Sequence, residues 1–164
     1  EVPGVSVFSL LRTAHKALHP QENISLPEFK KRVLITLKSV NLGESFLERY
    51  SNDGFSGGEK KKMEVAQLLI LKPKFAILDE IDSGLDLDSL KIIARAIKRQ
   101  VAKTGLGVVL ITHYPRIFHF LKPDFVHVLI RGKIKASKGK SKTSCSFFAL
   151  SMSALTALRF VIPS

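Results

Sequence analysis

Residues 75–80 read FAILDE, four apolar positions followed by the carboxylates Asp79 and Glu80. A buried strand of an α/β sheet delivers its last residue to the carboxyl edge, where such sheets bind ligands. There Asp79 is placed to hold Mg²⁺, a hard cation that prefers oxygen ligands, and Glu80 to polarise an attacking water as general base. Taken alone, the same letters equally describe a strand running out into a solvated turn. A second group is Ser56-Gly57-Gly58-Glu59. Two glycines let backbone N–H groups approach an anion closely, and a helix N-terminus adds positive partial charge. Ser56 can offer its hydroxyl to a phosphate or act only as an N-cap, and its spacing to Glu59 is that of a capping box. A third candidate is His113, which directly follows the apolar run 108–112.

The elements that position these residues follow from periodicity. Residues 5–18 and 27–42 carry apolar positions at helical spacing, with Gly43 placed as a C-cap. A helix is predicted from Ser56 to just before Pro73. Residues 75–79 and 108–112 read as buried strands. Between them a helix from Asp86 carries Leu90, Ile93, Ala94, Ile97 and Val101 on one face. Strand, helix, strand at this spacing is a βαβ crossover and implies a parallel sheet. Residues 125–130 form a third strand, with 133–136 as a short antiparallel return. The organisation read from this is an α-helical part over 1–72, an α/β part over 73–138 and a divergent tail over 139–164.

Composition limits the alternatives. The formal net charge is +12, but residues 79–88 hold five carboxylates and no base, and residues 131–142 hold six bases and no acid. No aromatic-plus-basic motif accompanies the charge, so no nucleic acid is expected as a partner. The one cysteine, Cys145, excludes an intrachain disulfide. The opening residues have no basic stretch followed by an apolar run, so no secretory signal is expected. The uncharged stretch 143–158 falls short of the ~20 apolar residues a membrane span needs, so no transmembrane segment is expected. Phe147, Phe148, Leu150, Leu155 and Leu158 suit an interfacial amphipathic helix or a tail packed on a partner. His15 and His19 have the i,i+4 spacing of a metal pair, but no third ligand accompanies them and they read as surface histidines.

The motifs together resemble those of the ABC ATPases. FSGGE, residues 55–59, is similar to the family signature usually written LSGGQ. FAILDE has the Walker B form, SGLD at 83–86 resembles the D-loop, and His113 stands where the switch histidine contacts the γ-phosphate. The four occur in the family's order and at its spacing. Within the family, FSGGEKKKMEVAQ, LDEIDSGLDLDSLK and THYPRIFHFLKPDFVHVLIRGKI look like the SufC branch over roughly residues 1–138. Ile81 departs from the usual threonine, and the resemblance ends after Gly139. It implies an α/β fold: an incomplete P-loop NTPase (ABC ATPase) domain with a parallel sheet and an α-helical subdomain. It also implies ATP and Mg²⁺ as ligands, with Asp79 on the metal, Glu80 and His113 in catalysis, and Ser56, Gly57, Gly58 and Glu59 touching ATP held by an opposite subunit. Asp86 would face the dimer interface. Dimerisation with another ABC ATPase subunit, SufB- and SufD-like scaffold partners, a role in iron–sulfur cluster assembly and a cytoplasmic or plastid setting are further implications. The nucleotide-binding subunit of a membrane ABC transporter and a non-catalytic partner-binding remnant are the competing functions.

One part of the pattern is missing. No G-x-x-x-x-G-K-[ST] occurs; Gly139-Lys140-Ser141 has the last three letters, but Ile134 stands where the first glycine belongs. Without the loop that cradles the β- and γ-phosphates, no hydrolysis by this chain alone is expected. A shortened chain, a half that works beside a separate first half, and a degenerate subunit all fit. In this NTPase class the phosphate-loop strand lies between the strands read here at 108–112 and 125–130. The expectation is therefore a gap there of about two strand spacings, ~9–10 Å, or a collapse into direct pairing.

Overall fold

The computed structural model of the chain describes residues 2–51, 53–139 and 147–151. Its contacts divide it into two compact units, Glu1–Lys72 with Asp86–Ala96, and Pro73–Leu85 with Ile97–Ser164.

In the first unit a strand β1 (Val2–Ser6) runs into helix α1 (Val7–Leu18), and helix α2 (Leu26–Ser39) follows. A short strand β2 (Tyr50–Ser51) pairs antiparallel with β1, and helix α3 (Gly57–Leu71) comes next. The helices carry their apolar stripes inward. Val7 and Leu11, Phe29, Val33 and Leu37, and Met63, Val65, Ala66 and Ile70 are all buried. Each helix start has a chemical reason. Ser25 and Glu28 form a reciprocal capping box at α2, and Ser56 and Glu59 form another at α3. The expected glycine cap of α2 is corrected: Val40 is the C-cap, Asn41 takes the left-handed conformation at φ 57°, and Gly43 has φ −75°. Asparagine is the non-glycine residue best suited to that region. The surface reading of the histidines is also corrected. His15 is 1 % exposed, and His19 Nε2 lies 2.7 Å from the Leu71 carbonyl.

In the second unit β3 (Phe75–Asp79), β4 (Gly107–Thr112), β5 (Phe125–Ile130), β6 (Lys133–Gly139) and β7 (Phe147–Ser151) form one sheet. Helix α4 (Leu87–Thr104) links β3 to β4 in sequence, and these two strands are parallel, as the crossover spacing required. The strand order is β3-β4-β7-β5-β6. The predicted gap is therefore absent. β7 lies between β4 and β5 and pairs parallel with both, Leu110 opposite Ala149 and Val126 opposite the same residue. This overturns the helical reading of the phenylalanine cluster for 147–151; Leu155 and Leu158 lie outside the described residues. The physical reason is the open edge itself. Two parallel strands one strand apart leave unpaired N–H and C=O groups facing each other, and an apolar segment of the same chain satisfies both rows. One face of β3 stays open, with Phe75 58 % and Ile77 72 % exposed.

Candidate functional site

Asp79 is the last residue of β3, and its side chain is exposed at the carboxyl edge of the sheet. Glu80 follows with φ 47°, a left-handed conformation that a non-glycine residue adopts only when its surroundings enforce it. Two hydrogen bonds do so: Glu80 N–H donates to Ile111 O at 2.9 Å, and Ser83 N–H donates to Glu80 O at 3.0 Å. The tight turn this makes aims the Glu80 carboxylate at the end of the neighbouring strand. There Oε1 lies 2.9 Å from His113 Nδ1. A proton on Nδ1 makes His113 the donor and leaves Nε2 an acceptor.

A buried network under this pair was not legible in the sequence. Asp82 is fully buried, and both its carboxylate oxygens accept from the Thr112 hydroxyl, at 3.0 and 2.8 Å. That hydroxyl also accepts from Tyr114 N–H at 2.9 Å. Arg116 Nη2 donates to the Asp82 carbonyl at 2.6 Å, and its guanidinium lies 5.2 Å from the Tyr114 ring centroid. Burial pushes the Asp82 carboxyl above its ordinary range, against the pull of the Thr112 hydrogen bonds and of nearby Arg116 and His113. The network ties the turn after Glu80 to the residue before His113, so it holds both members of the pair.

The signature residues lie in the first unit. Ser56 and Gly57 are exposed at the start of α3, and a Cβ added at Gly57 would meet nothing within 4 Å. Their backbone is thus open to a ligand. Glu59 is turned back, its carboxylate accepting from Ser56 N–H at 2.8 Å, which holds its pKa below the usual value. Asp86 is likewise engaged locally. It accepts from Ser89 N–H and Oγ at 2.8 Å each, with its pKa lowered by the backbone bond first. So Asp79, Glu80 and His113 come together on adjacent strand ends, whereas Ser56, Gly57, Gly58, Glu59 and Asp86 belong to the other unit. Ile81, the departure from the usual threonine, is 3 % exposed.

Residues 4–83 match the family model for ABC transporters. Over those residues the chain is similar to ABC ATPases. A probable ABC transporter ATP-binding protein of Streptococcus pyogenes is 43 % identical over 138 residues, 84 % of this chain and 54 % of that protein. The probable ATP-dependent transporter ycf16 of Guillardia theta is 46 % identical over 137 residues, with 82 % and 54 % covered. The iron–sulfur cluster assembly protein SufC of Plasmodium falciparum is 43 % identical over 137 residues, with 82 % and 39 % covered. The chain thus spans about half the length of the bacterial and algal relatives, 54 % in each. Among solved structures, an ATP-binding subunit of an ABC transporter superposes with a TM-score of 0.65 at 24 % identity, over 85 % of this chain and 55 % of that one. A dimeric ATP-binding cassette bound to ADP and Pi superposes with a TM-score of 0.66 at 22 % identity, over 84 % and 58 %. The fold is that of an ABC ATPase cassette, an α/β P-loop NTPase-like architecture. Among the described residues no helix is long and apolar enough to cross a membrane.

Proposed function

We propose that this chain supplies the signature and Walker B half of a SufC-like ATPase that couples ATP hydrolysis to iron–sulfur cluster assembly. The observation that carries this reading is the 2.9 Å contact between Glu80 and His113 beside Asp79. A general base must reach the proton it removes, and a positioned neighbour keeps it aimed. ATP would be the substrate, and Mg²⁺, held in part by Asp79, would supply charge neutralisation at its phosphates. Among the described residues no group of three or more His, Cys, Asp or Glu could hold a metal alone. That fits Mg²⁺, which uses one or two carboxylates together with substrate phosphates and waters. Asp79 would contribute one oxygen ligand. Glu80 would accept a proton from the attacking water. His113 would meet the γ-phosphate. Ser56, Gly57 and Gly58 would present N–H and hydroxyl donors to a nucleotide held by a second subunit, which is why dimerisation belongs to the proposal. The similarity to SufC supports SufB- and SufD-like partners, and the open Phe75–Ile77 face of β3 supports cover by further polypeptide, because parallel sheets are covered on both faces.

The test is phosphate release. The chain alone, with Mg²⁺ and ATP, is expected to show none. Fused behind the phosphate-loop half of a close SufC, it is expected to hydrolyse ATP and to be stimulated by SufB and SufD. Turnover by the chain alone that disappears in Glu80→Gln overturns the first part. A fusion that folds, binds ATP and stays inactive overturns the second.

A second reading is favoured by the similarity to the Streptococcus transporter ATP-binding protein and the Guillardia ATP-dependent transporter. In it the chain belongs to the nucleotide-binding subunit of a membrane transporter, and the fusion is stimulated by permease subunits instead. A non-catalytic partner-binding role draws support from β7, which takes the central sheet position while no G-x-x-x-x-G-K-[ST] is present.

A further inference from the structure

The polar cluster around the α1–α2 connection serves neither the Glu80–His113 site nor the signature helix. It encloses a cavity of about 180 Å³, apolar along Pro20, Ile24 and Phe29 and polar along Arg12, Lys16 and Asn23. His15 and Glu22 also line it. Arg12 Nη1 is shut off from solvent and has no hydrogen-bond partner among the described residues. A guanidinium stays charged at any physiological pH. An unpaired buried donor is costly, and a charged one more so.

None of the described groups nearby serves it. Glu22, the one carboxylate in the lining, is already committed. Arg32 Nη2 donates to its Oε1 at 2.7 Å, and its Oε2 lies 3.2 Å from His15 Nε2. His15 Nε2 in turn faces Arg32 Nη1 at 3.1 Å. In the lining Arg12 and Lys16 stand against Glu22; Arg32 and Lys72 also act on Glu22, and Arg32 is shared with Glu28. What the cavity lacks is a negative charge.

We propose that this cavity binds a small monocarboxylate, with the carboxylate on Arg12 and a short apolar body against Ile24 and Phe29. The guanidinium fork matches a planar carboxylate in two parallel hydrogen bonds. The volume is below the ~300–1,000 Å³ of sites for drug-sized ligands, which limits the body to a few carbons. A phosphate dianion would bring a second charge toward Glu22 and leave the apolar wall unused. Entry goes with a rotamer change of Arg12 or Lys16, long side chains with several staggered states.

The proposal stands apart from any nucleotide chemistry, so it is tested on the 164-residue chain without ATP. Sodium butyrate is titrated while the arginine side-chain N–H resonances are followed by NMR, with inorganic phosphate at equal ionic strength as the comparison. Saturable butyrate binding with a Kd of about 1 mM or tighter is expected, with an Arg12 resonance shifting along the same curve. Arg12→Gln is expected to weaken it at least ~10-fold, a loss of about 1.4 kcal/mol, and Lys61→Gln on α3 to leave it unchanged. Arg12→Lys keeps the charge without the fork and is expected to weaken binding several-fold, which keeps the test readable if the glutamine variant unfolds. Butyrate affinity unchanged in both Arg12 variants overturns the site. No saturable binding to the parent chain does the same, and phosphate binding as tightly as butyrate overturns the ligand class.

Discussion

His113 Nδ1 lies 2.9 Å from Glu80 Oε1, joining the residue after β4 to the residue after β3. The left-handed φ of 47° at Glu80 is what makes the contact possible. An extended residue there would continue the strand direction and carry its side chain away from β4.

In the fusion with a SufC phosphate-loop half, Glu80→Gln is expected to lower kcat by about 10²–10⁴-fold, the contribution of a positioned general base. ATP binding should persist, because glutamine keeps the size and one acceptor. Single-turnover phosphate release beside equilibrium nucleotide binding separates the two. If the parent fusion is inactive although it binds ATP, Ile81→Thr is the first reversion to make.

The position of β7 sets up a competition. A phosphate-loop strand added by fusion seeks the slot between β4 and β5 that β7 holds. A fusion ending at Gly139 is therefore expected to hydrolyse ATP faster than one carrying residues 140–164. In the unfused chain the sign reverses. Ala149→Pro removes a backbone donor from a central strand and should lower the urea midpoint or cause aggregation. Equal activity of the two fusions, with an unaffected Ala149→Pro chain, would remove β7 from its place in the sheet.

Thr112→Val deletes the hydroxyl that both Asp82 oxygens accept from. Leaving that buried carboxylate unsatisfied should cost about 1–3 kcal/mol at neutral pH, read from urea unfolding. The pH dependence follows from linkage. Burial already raises the folded Asp82 pKa above its ordinary value of 3.8. Between 3.8 and the raised value the native state binds more protons than the unfolded one, so this group's stability contribution is lost as pH rises through the window. Removing the Thr112 hydrogen bonds raises the folded value further. The window should extend to higher pH in the variant, and an unchanged profile would count against the coupling.

His15 works in the opposite direction. Burial lowers its pKa below 6.5; Glu22 opposes this, while His19, Arg32 and Lys72 add to it. Its contribution is therefore present above 6.5 and is lost as pH falls through the folded value. Tm should fall between roughly pH 7 and pH 5, where histidines titrate, and fall less in His15→Gln. Equal slopes for the two proteins would show that His15 does not carry the effect.

The sequence alone determined what depends on local order. Ser56 with Glu59 three residues on, Asp79 closing an apolar run and a helix between two such runs are short-range patterns. α3, β3, α4 and β4 formed where those patterns put them. The Glu80–His113 pair was legible only as two residues of suitable type in a recognised order. Tertiary structure decided the rest, because the partners are distant in sequence. Asp82 meets Thr112 across 30 positions, and His19 meets Leu71 across 52. His15 is buried by helices whose packing its i,i+4 spacing to His19 does not reveal. β7 is the clearest case. Parallel pairing has no turn to announce it, and FFALS carries no mark of the slot it fills. Only the two facing rows of unpaired backbone groups on β4 and β5, which exist once the sheet has formed, select that segment as the central strand.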